Sequence, residues 1–274
     1  VIADFRLLGP MRARISDVGV LPAAAKPRQV MALLAVRAGQ IVTVDALTEE
    51  LWGESPPRSA VTTLQTYVLQ LRRRIAAALG DETGAAAKDL LATVYGGYRL
   101  ALPADAVDVH RARALIDRGQ QALAAGEDRT GCRLLHEALG LWGGPMLVDV
   151  PKGRQLGIEC LSLEEERLGA LELRIEADLR LGRHTELLGE LTALTAEHPT
   201  HENLHAQHMI ALYRAGRSGK ALEVFRRLRS TLIDEIGLEP SPRVQRLHQA
   251  ILAGNPALEL VPTHLALSAD YRWA

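Results

Sequence analysis

Residues Ser59 to Arg74 read Ser-Ala-Val-Thr-Thr-Leu-Gln-Thr-Tyr-Val-Leu-Gln-Leu-Arg-Arg-Arg, and no acidic residue occurs between Ser55 and Gly80. At about 100° per residue, Val61, Leu64, Val68, Leu71 and Ile75 fall on one apolar stripe of a helix. Thr62, Thr66, Gln70 and Arg73 then point the opposite way, with Ser59 and Thr63 beside them. That face carries hydrogen-bonding chemistry suited to a DNA major groove. Glutamine bonds adenine bidentately, arginine bonds guanine O6 and N7, and a threonine methyl touches thymine. Ser59 and Thr62, in a first helical turn, combine hydroxyls with free amides against a phosphate. Arg72, Arg73 and Arg74 add guanidinium geometry for the same group. Taken alone, the pattern also fits a solvated face of an amphipathic helix.

The elements around that helix favour the DNA-binding reading. Phe5-Arg6-Leu7-Leu8-Gly9-Pro10 and Ala13-Arg14-Ile15 read as short strands. A helix spans about Arg28 to Ala38, and Thr43 offers N-cap chemistry for a second helix through Trp52, stopped by Gly53. The helix of interest runs from about Arg58 to Leu79 and stops at Gly80. Leu91 to Tyr95, a Gly96-Gly97 turn, and Tyr98 to Leu102 form a hairpin. Strands, three helices and a terminal hairpin make a winged helix, whose hairpin tip reaches a groove beside the recognition helix. Tyr95, Tyr98 and Arg99 supply stacking and charge there, with one tyrosine expected to plug the core. Lys26 and Arg28, before the first helix, are further phosphate candidates.

The chain changes character at Leu102-Pro103. Residues 1–102 hold 12 Lys+Arg against 9 Asp+Glu, and residues 103–274 hold 20 against 24, which together give the net −1. Near neutrality excludes an indiscriminately basic nucleic-acid coat and leaves room for a local basic face. The second half is helical and repetitive: Leu181-Gly182-Arg183 returns as Ala215-Gly216-Arg217 at an offset of 34 residues, which also aligns Leu179 with Tyr213, Leu188 with Leu222 and Leu191 with Phe225. Thirty-four residues is the tetratricopeptide period. A looser copy surrounds Ala125-Gly126-Glu127. The expected fold is mainly α: a winged helix-turn-helix of α+β type over residues 1–102, an all-α tetratricopeptide-like domain over 105–252, and a tail over 253–274.

Arg58-Ser59-Ala60 leading into Thr63-Leu64-Gln65-Thr66-Tyr67-Val68-Leu69-Gln70-Leu71-Arg72-Arg73, followed by Gly96-Gly97-Tyr98-Arg99-Leu100, resembles the OmpR-type winged helix. Its Leu-Gln-x-Tyr-Val-x-x-Leu-Arg variant is similar to that of the Streptomyces antibiotic regulatory proteins. Leu141-Trp142-Gly143-Gly144-Pro145-Met146-Leu147, and the stretch from Ala211 to Pro242, resemble that family's bacterial transcriptional activation domain. The resemblance implies an activator, not an enzyme, that binds direct repeats near a promoter −35 region with two protomers side by side. It also implies contact with RNA polymerase at two points, sigma factor and the C-terminal domain of the alpha subunit. The genes served are commonly those of a secondary-metabolite cluster. By position the resemblance assigns DNA contact to Thr63, Thr66, Gln70, Arg72, Arg73 and Arg74 and to the wing at Gly97 and Tyr98, beside Arg58, Ser59 and Thr62. Leu69 departs from the smaller or polar residues common in the family. Gly219-Lys220 lacks the remaining glycine of a phosphate-binding loop, so the chain reads as a short member or the N-terminal part of a longer one.

Other features compete for function. His201, His205 and His208 share a helix face and suggest zinc binding or pH sensing. The alternative is three polar rings packed at a helix junction. Ser162 with Glu164-Glu165-Glu166 reads as a helix start, and Trp142 with Met146 as a helix junction or a ligand pocket. Cys132 and Cys160 are too few for a disulfide framework and read as reduced packing residues. No nucleophile motif, metal cluster or cofactor signature is found, and no apolar run reaches the ~18 residues of a membrane span. A cytoplasmic, nucleoid-associated regulator is the expectation. A protein-interaction scaffold, or a metal- or ligand-responsive regulator, is the alternative.

Overall fold

The computed structural model describes residues 2–259; the end of the tail expected over 253–274 lies outside them. The chain divides into two compact units, residues 1–121 with 133–170, and residues 122–132 with 171–274. In the first unit, β1 (Ala3–Arg6), β2 (Arg12–Ile15) and β3 (Val18–Gly19) form an antiparallel sheet in that order. Three helices follow: α1 (Ala25–Val36), α2 (Val44–Trp52) and α3 (Ala60–Leu79). Between the first two lies β4 (Val42–Thr43). As expected, Thr43 caps α2, its hydroxyl accepting from the Ala46 amide, and Gly80 ends α3 in the left-handed conformation at φ 63°. A short helix absent from the sequence reading, α4 (Ala85–Leu90), leads into β5 (Leu91–Val94) and β6 (Gly97–Leu100). Its tight start rests on Asp81, whose carboxylate accepts from the Gly84 and Ala87 amides.

The core of this unit does not stop at residue 102. Val107, Val109, Met146, Leu147, Val150, Leu156 and Leu163 are buried in the same apolar cluster as Phe5, Leu33, Leu34, Leu64 and Leu71. Helix α5 (Asp108–Ala124) starts against the first sheet. The buried Asp108 carboxylate accepts from the Leu7 and Leu8 amides at 2.8–3.0 Å and from Val109 at 2.9 Å. Burial pushes this carboxyl up, and those amides oppose the push. The buried Glu50 does the same service for α7 (Arg154–Arg180), accepting from the Gly153 and Leu156 amides at 2.7 and 3.0 Å and from the Gln29 side chain at 2.8 Å. The Leu156 amide, in the first turn of α7 and without a partner within the helix, is thereby satisfied. Arg37 bonds Glu159 at 2.7 Å and Gln155 at 3.0 Å. Glu164, Glu165 and Glu166 lie inside α7, so they mark no helix start; Glu166 instead pairs bidentately with Arg113 at 2.7 and 2.8 Å. Met146 is core and Trp142 packs against it.

The second unit is helical. It comprises the start of α6 (Asp128–Leu139), the end of α7, α8 (Leu188–Glu197), α9 (Glu202–Arg214), α10 (Ser218–Ile236) and α11 (Pro242–Leu252). The repeat legible in the sequence is a repeated turn. Gly126, Gly182 and Gly216 have φ of 78°, 82° and 71°, and the next amide in each case reaches back to a carbonyl five residues earlier: Glu127 to Ala122, Arg183 to Asp178, Arg217 to Leu212, at 2.8–2.9 Å. That bond closes a helix end with a left-handed glycine, so the glycine is required where the chain reverses. Met209, Ala221, Phe225, Leu228, Leu247 and Ile251 form the core.

Candidate nucleic-acid interface

Helix α3 is fixed by its apolar side. Leu64, Val68, Leu71 and Ile75 are at most 2% exposed, whereas Val61, assigned to the same stripe by periodicity, is half exposed near the helix start. Burying four such side chains contributes roughly 1.5–3 kcal/mol each and sets the rotation of the helix. Consequently Thr62, Thr66, Gln70, Arg73 and Arg74 face solvent, together with Arg58, Ser59, Gln65 and Leu69. The face is uncharged at its start and cationic at its end, with no carboxylate on the helix. Thr66 is exposed and donates its hydroxyl hydrogen to the Thr62 carbonyl at 3.0 Å. Ser59 makes no side-chain cap, so its hydroxyl remains available to an anion, whereas the Ala60 and Thr63 amides are taken by the Pro57 and Ser59 carbonyls at 2.9 Å. Thr63 is half-buried beside them.

Several residues expected at the interface are used inside the protein. Arg72 spans from α3 to the wing, donating to the Leu91 carbonyl at 2.9 and 2.7 Å and to the Thr93 hydroxyl at 2.8 Å. It positions the hairpin and is not a free phosphate ligand. The hairpin turn is Tyr95-Gly96, one residue earlier than Gly96-Gly97, because β5 pairs Val94 with Gly97. Gly96 takes the left-handed conformation at φ 78°. Gly97 therefore lies in the sheet, where a Cβ would stand 2.2 Å from the Val42 carbonyl oxygen of β4. Tyr98 is 6% exposed and plugs the core, and Tyr95 projects fully into solvent from the tip. Gly97 and Tyr98, the residues assigned to the wing contact, are thus buried, and the exposed part of the wing is its tip, Tyr95 and Gly96, with Arg99 outward on β6. Lys26 rests its ammonium 4.6 Å from the Trp52 ring centre, and Arg28 bonds the Pro22 carbonyl and Asp149. Both are half-buried and engaged.

The three histidines of the second unit have separate partners. His201 caps α9 and bonds Glu172 at 2.9 Å, His205 bonds the His201 carbonyl at 3.0 Å, and His208 faces the Thr195 hydroxyl at 3.4 Å. Burial pushes His205 down and pushes His208 down to about 4, with His205 and Arg227 adding to the effect on His208. They are satisfied rings at a helix junction and not convergent ligands. Cys132 is buried and donates to Asp178 at 3.0 Å; burial and that bond push its thiol up to about 12.

An exposed cationic helix, a hairpin tied to it by one arginine, and a glycine-punctuated helical repeat define a winged-helix transcription regulator of the two-domain kind. Comparison with known families agrees: the bacterial transcriptional activator domain matches residues 107–252, and the C-terminal domain of transcriptional regulatory proteins matches residues 20–100. The chain belongs to the Streptomyces antibiotic regulatory protein family, whose bacterial transcriptional activator domain it carries. It is 52% identical to the regulatory protein DnrI of Streptomyces peucetius, over 93% of this chain and 94% of that one. It is 38% identical to AfsR of Streptomyces coelicolor, covering 93% of this chain and only 24% of the relative. A solved structure of Mycobacterium tuberculosis EmbR in complex with a low-affinity phosphopeptide superposes with a TM-score of 0.87 at 35% identity, over 93% of this chain and 66% of that one. No helix among the described residues is long and apolar enough to cross a membrane.

Proposed function

We propose that this regulator activates transcription by binding direct repeats near a promoter −35 region and engaging RNA polymerase, through sigma factor and the C-terminal domain of the alpha subunit, at a secondary-metabolite gene cluster. The observation that carries the reading is the outward face of α3, on which Thr62, Thr66, Gln70 and Arg73 are exposed with no carboxylate among them. In this reading Gln70 and Arg73 bond base edges in the major groove, Thr66 and Leu69 touch thymine methyls, and Arg58, Ser59, Thr62, Thr63 and Arg74 hold phosphates. Tyr95 and Gly96 reach the adjoining groove. Two protomers on half-sites one helical turn apart place both recognition helices on one side of the duplex. The second unit supplies the surface that meets polymerase.

A gel shift on a direct-repeat duplex tests this. Arg73→Ala is expected to lower affinity by about 1–3 kcal/mol, the worth of a bidentate base contact. Wild-type affinity in that variant removes the recognition-helix assignment. Binding through about four phosphates gives a log–log salt slope near −3.6; a flat response points to a protein-docking role for the winged helix.

A further inference from the structure

Helices α8, α9 and α10 enclose a groove of about 240 Å³ within the second unit. It lies below the roughly 300–1,000 Å³ of small-molecule sites and is of side-chain size. Its apolar wall is Leu188, Leu212 and Val224, and its rim carries Arg217 at the N-cap of α10 with Lys220 and Arg227 from the first and third turns of that helix. The side chains of those three cations make no hydrogen bond or ion pair among the described residues. By contrast, Arg174, Arg180, Arg183 and Arg229 of the same unit are each paired with a carboxylate. Among the described residues, Glu223 is the one acid lining the groove. His208, 6% exposed, lines it too, with its Nδ1 facing Thr195 and its Nε2 making no hydrogen bond to a described residue. The cationic rim is local: the unit as a whole holds 13 Lys+Arg against 15 Asp+Glu.

We propose that this groove docks an acidic segment of a partner protein, its carboxylates on Arg217, Lys220 and Arg227 and one aliphatic side chain on the Leu188–Leu212–Val224 wall. The apolar wall favours a peptide over nucleic acid. A phosphate backbone gains nothing from it, whereas an acidic segment with a leucine satisfies rim and wall together; Glu223 opposes either anion alike. The inference rests on the activator reading only in supposing that the repeat unit meets a protein; it uses no residue of α3.

Fluorescence anisotropy of the full chain with a labelled peptide of Asp, Glu and Leu tests it, beside peptides in which Gln or Lys replaces the acids. The acidic peptide is expected to bind and the other two to fail. Lys220→Glu with Arg227→Glu is expected to weaken binding at least about tenfold. Arg226→Glu with Arg246→Glu, the same charge change at exposed positions off the groove, is expected to leave it within about twofold. All four positions are exposed, and thermal melts confirm folding. The proposal is overturned if the acidic peptide does not bind, if the control pair loses as much as the groove pair, or if the groove pair weakens duplex binding in place of peptide binding. Loss of DNA binding by the wild-type chain would remove the α3 reading and leave the peptide result standing.

Discussion

Tyr95 and Tyr98 are three residues apart and chemically identical, yet one is fully exposed and the other is 6% exposed. Alternation along a hairpin cannot assign them until the turn is placed, because a slip of one residue exchanges the two faces. The consequences separate cleanly. Tyr98→Ala is expected to cost about 3–5 kcal/mol of stability, as for other buried aromatic truncations. Tyr95→Ala is expected to leave the melt unchanged and weaken duplex binding. A pair of thermal melts and gel shifts checks both. His208 makes a prediction of the opposite kind. Its imidazole is held neutral in the fold, at about 4, against an ordinary 6.5 in the unfolded chain. The associated stability is therefore complete above about pH 6.5 and lost as pH falls toward 4, an effect on the order of 3 kcal/mol. Thermal melts across that window, wild type against His208→Leu, are expected to show a shallower decline in the variant.

At the scale of elements, Arg72 is the link between recognition helix and wing. A guanidinium that donates to one carbonyl and one hydroxyl fixes an angle as well as a distance. Arg72→Ala is expected to free the hairpin, seen as faster amide hydrogen exchange over Leu91–Leu100, with reduced duplex affinity and the α3 face intact. Unchanged exchange would make the residue dispensable to the wing. Gly97 is the second constraint: the 2.2 Å approach of a Cβ to the Val42 carbonyl oxygen leaves no room for alanine while β4 pairs with β6. The repeat turns at Gly126, Gly182 and Gly216 are the corresponding fixed points of the second unit.

For the whole molecule, the notable feature is where the first core ends. Asp108 holds the Leu7 and Leu8 amides, Glu50 holds the start of α7, and Met146, Leu147, Leu156 and Leu163 complete the apolar cluster around the winged helix. A chain cut after Leu102 loses these partners: the Leu7, Leu8 and Met11 amides lose their carboxylate acceptors, and Glu50 keeps only the Gln29 side chain. It is expected to be unfolded or loosely packed by near-ultraviolet circular dichroism and amide dispersion. Cooperative melting of the 1–102 fragment would show that the added segment decorates a self-sufficient domain. The arrangement ties the winged helix to the segment of chain that follows it, residues 103–170.

Periodicity determined that α3 is an amphipathic helix, which of its sides is polar, and that a helix-pair pattern returns at an offset of 34 residues, and capping chemistry determined where Thr43 and Gly80 bound α2 and α3. These are local properties, set by side-chain spacing of 3.6 and by glycine's freedom at a left-handed turn. The register of the wing, the engagement of Arg72, Lys26 and Arg28, the exposure of Val61 and the extension of the core past residue 102 were decided by tertiary structure. Each depends on a partner distant in sequence: Val42 opposite Gly97, Leu91 beside Arg72, Trp52 under Lys26, Asp108 above Leu7. No window of neighbouring residues contains that information, because hydrogen bonds and close packing between remote segments form only once the segments have met.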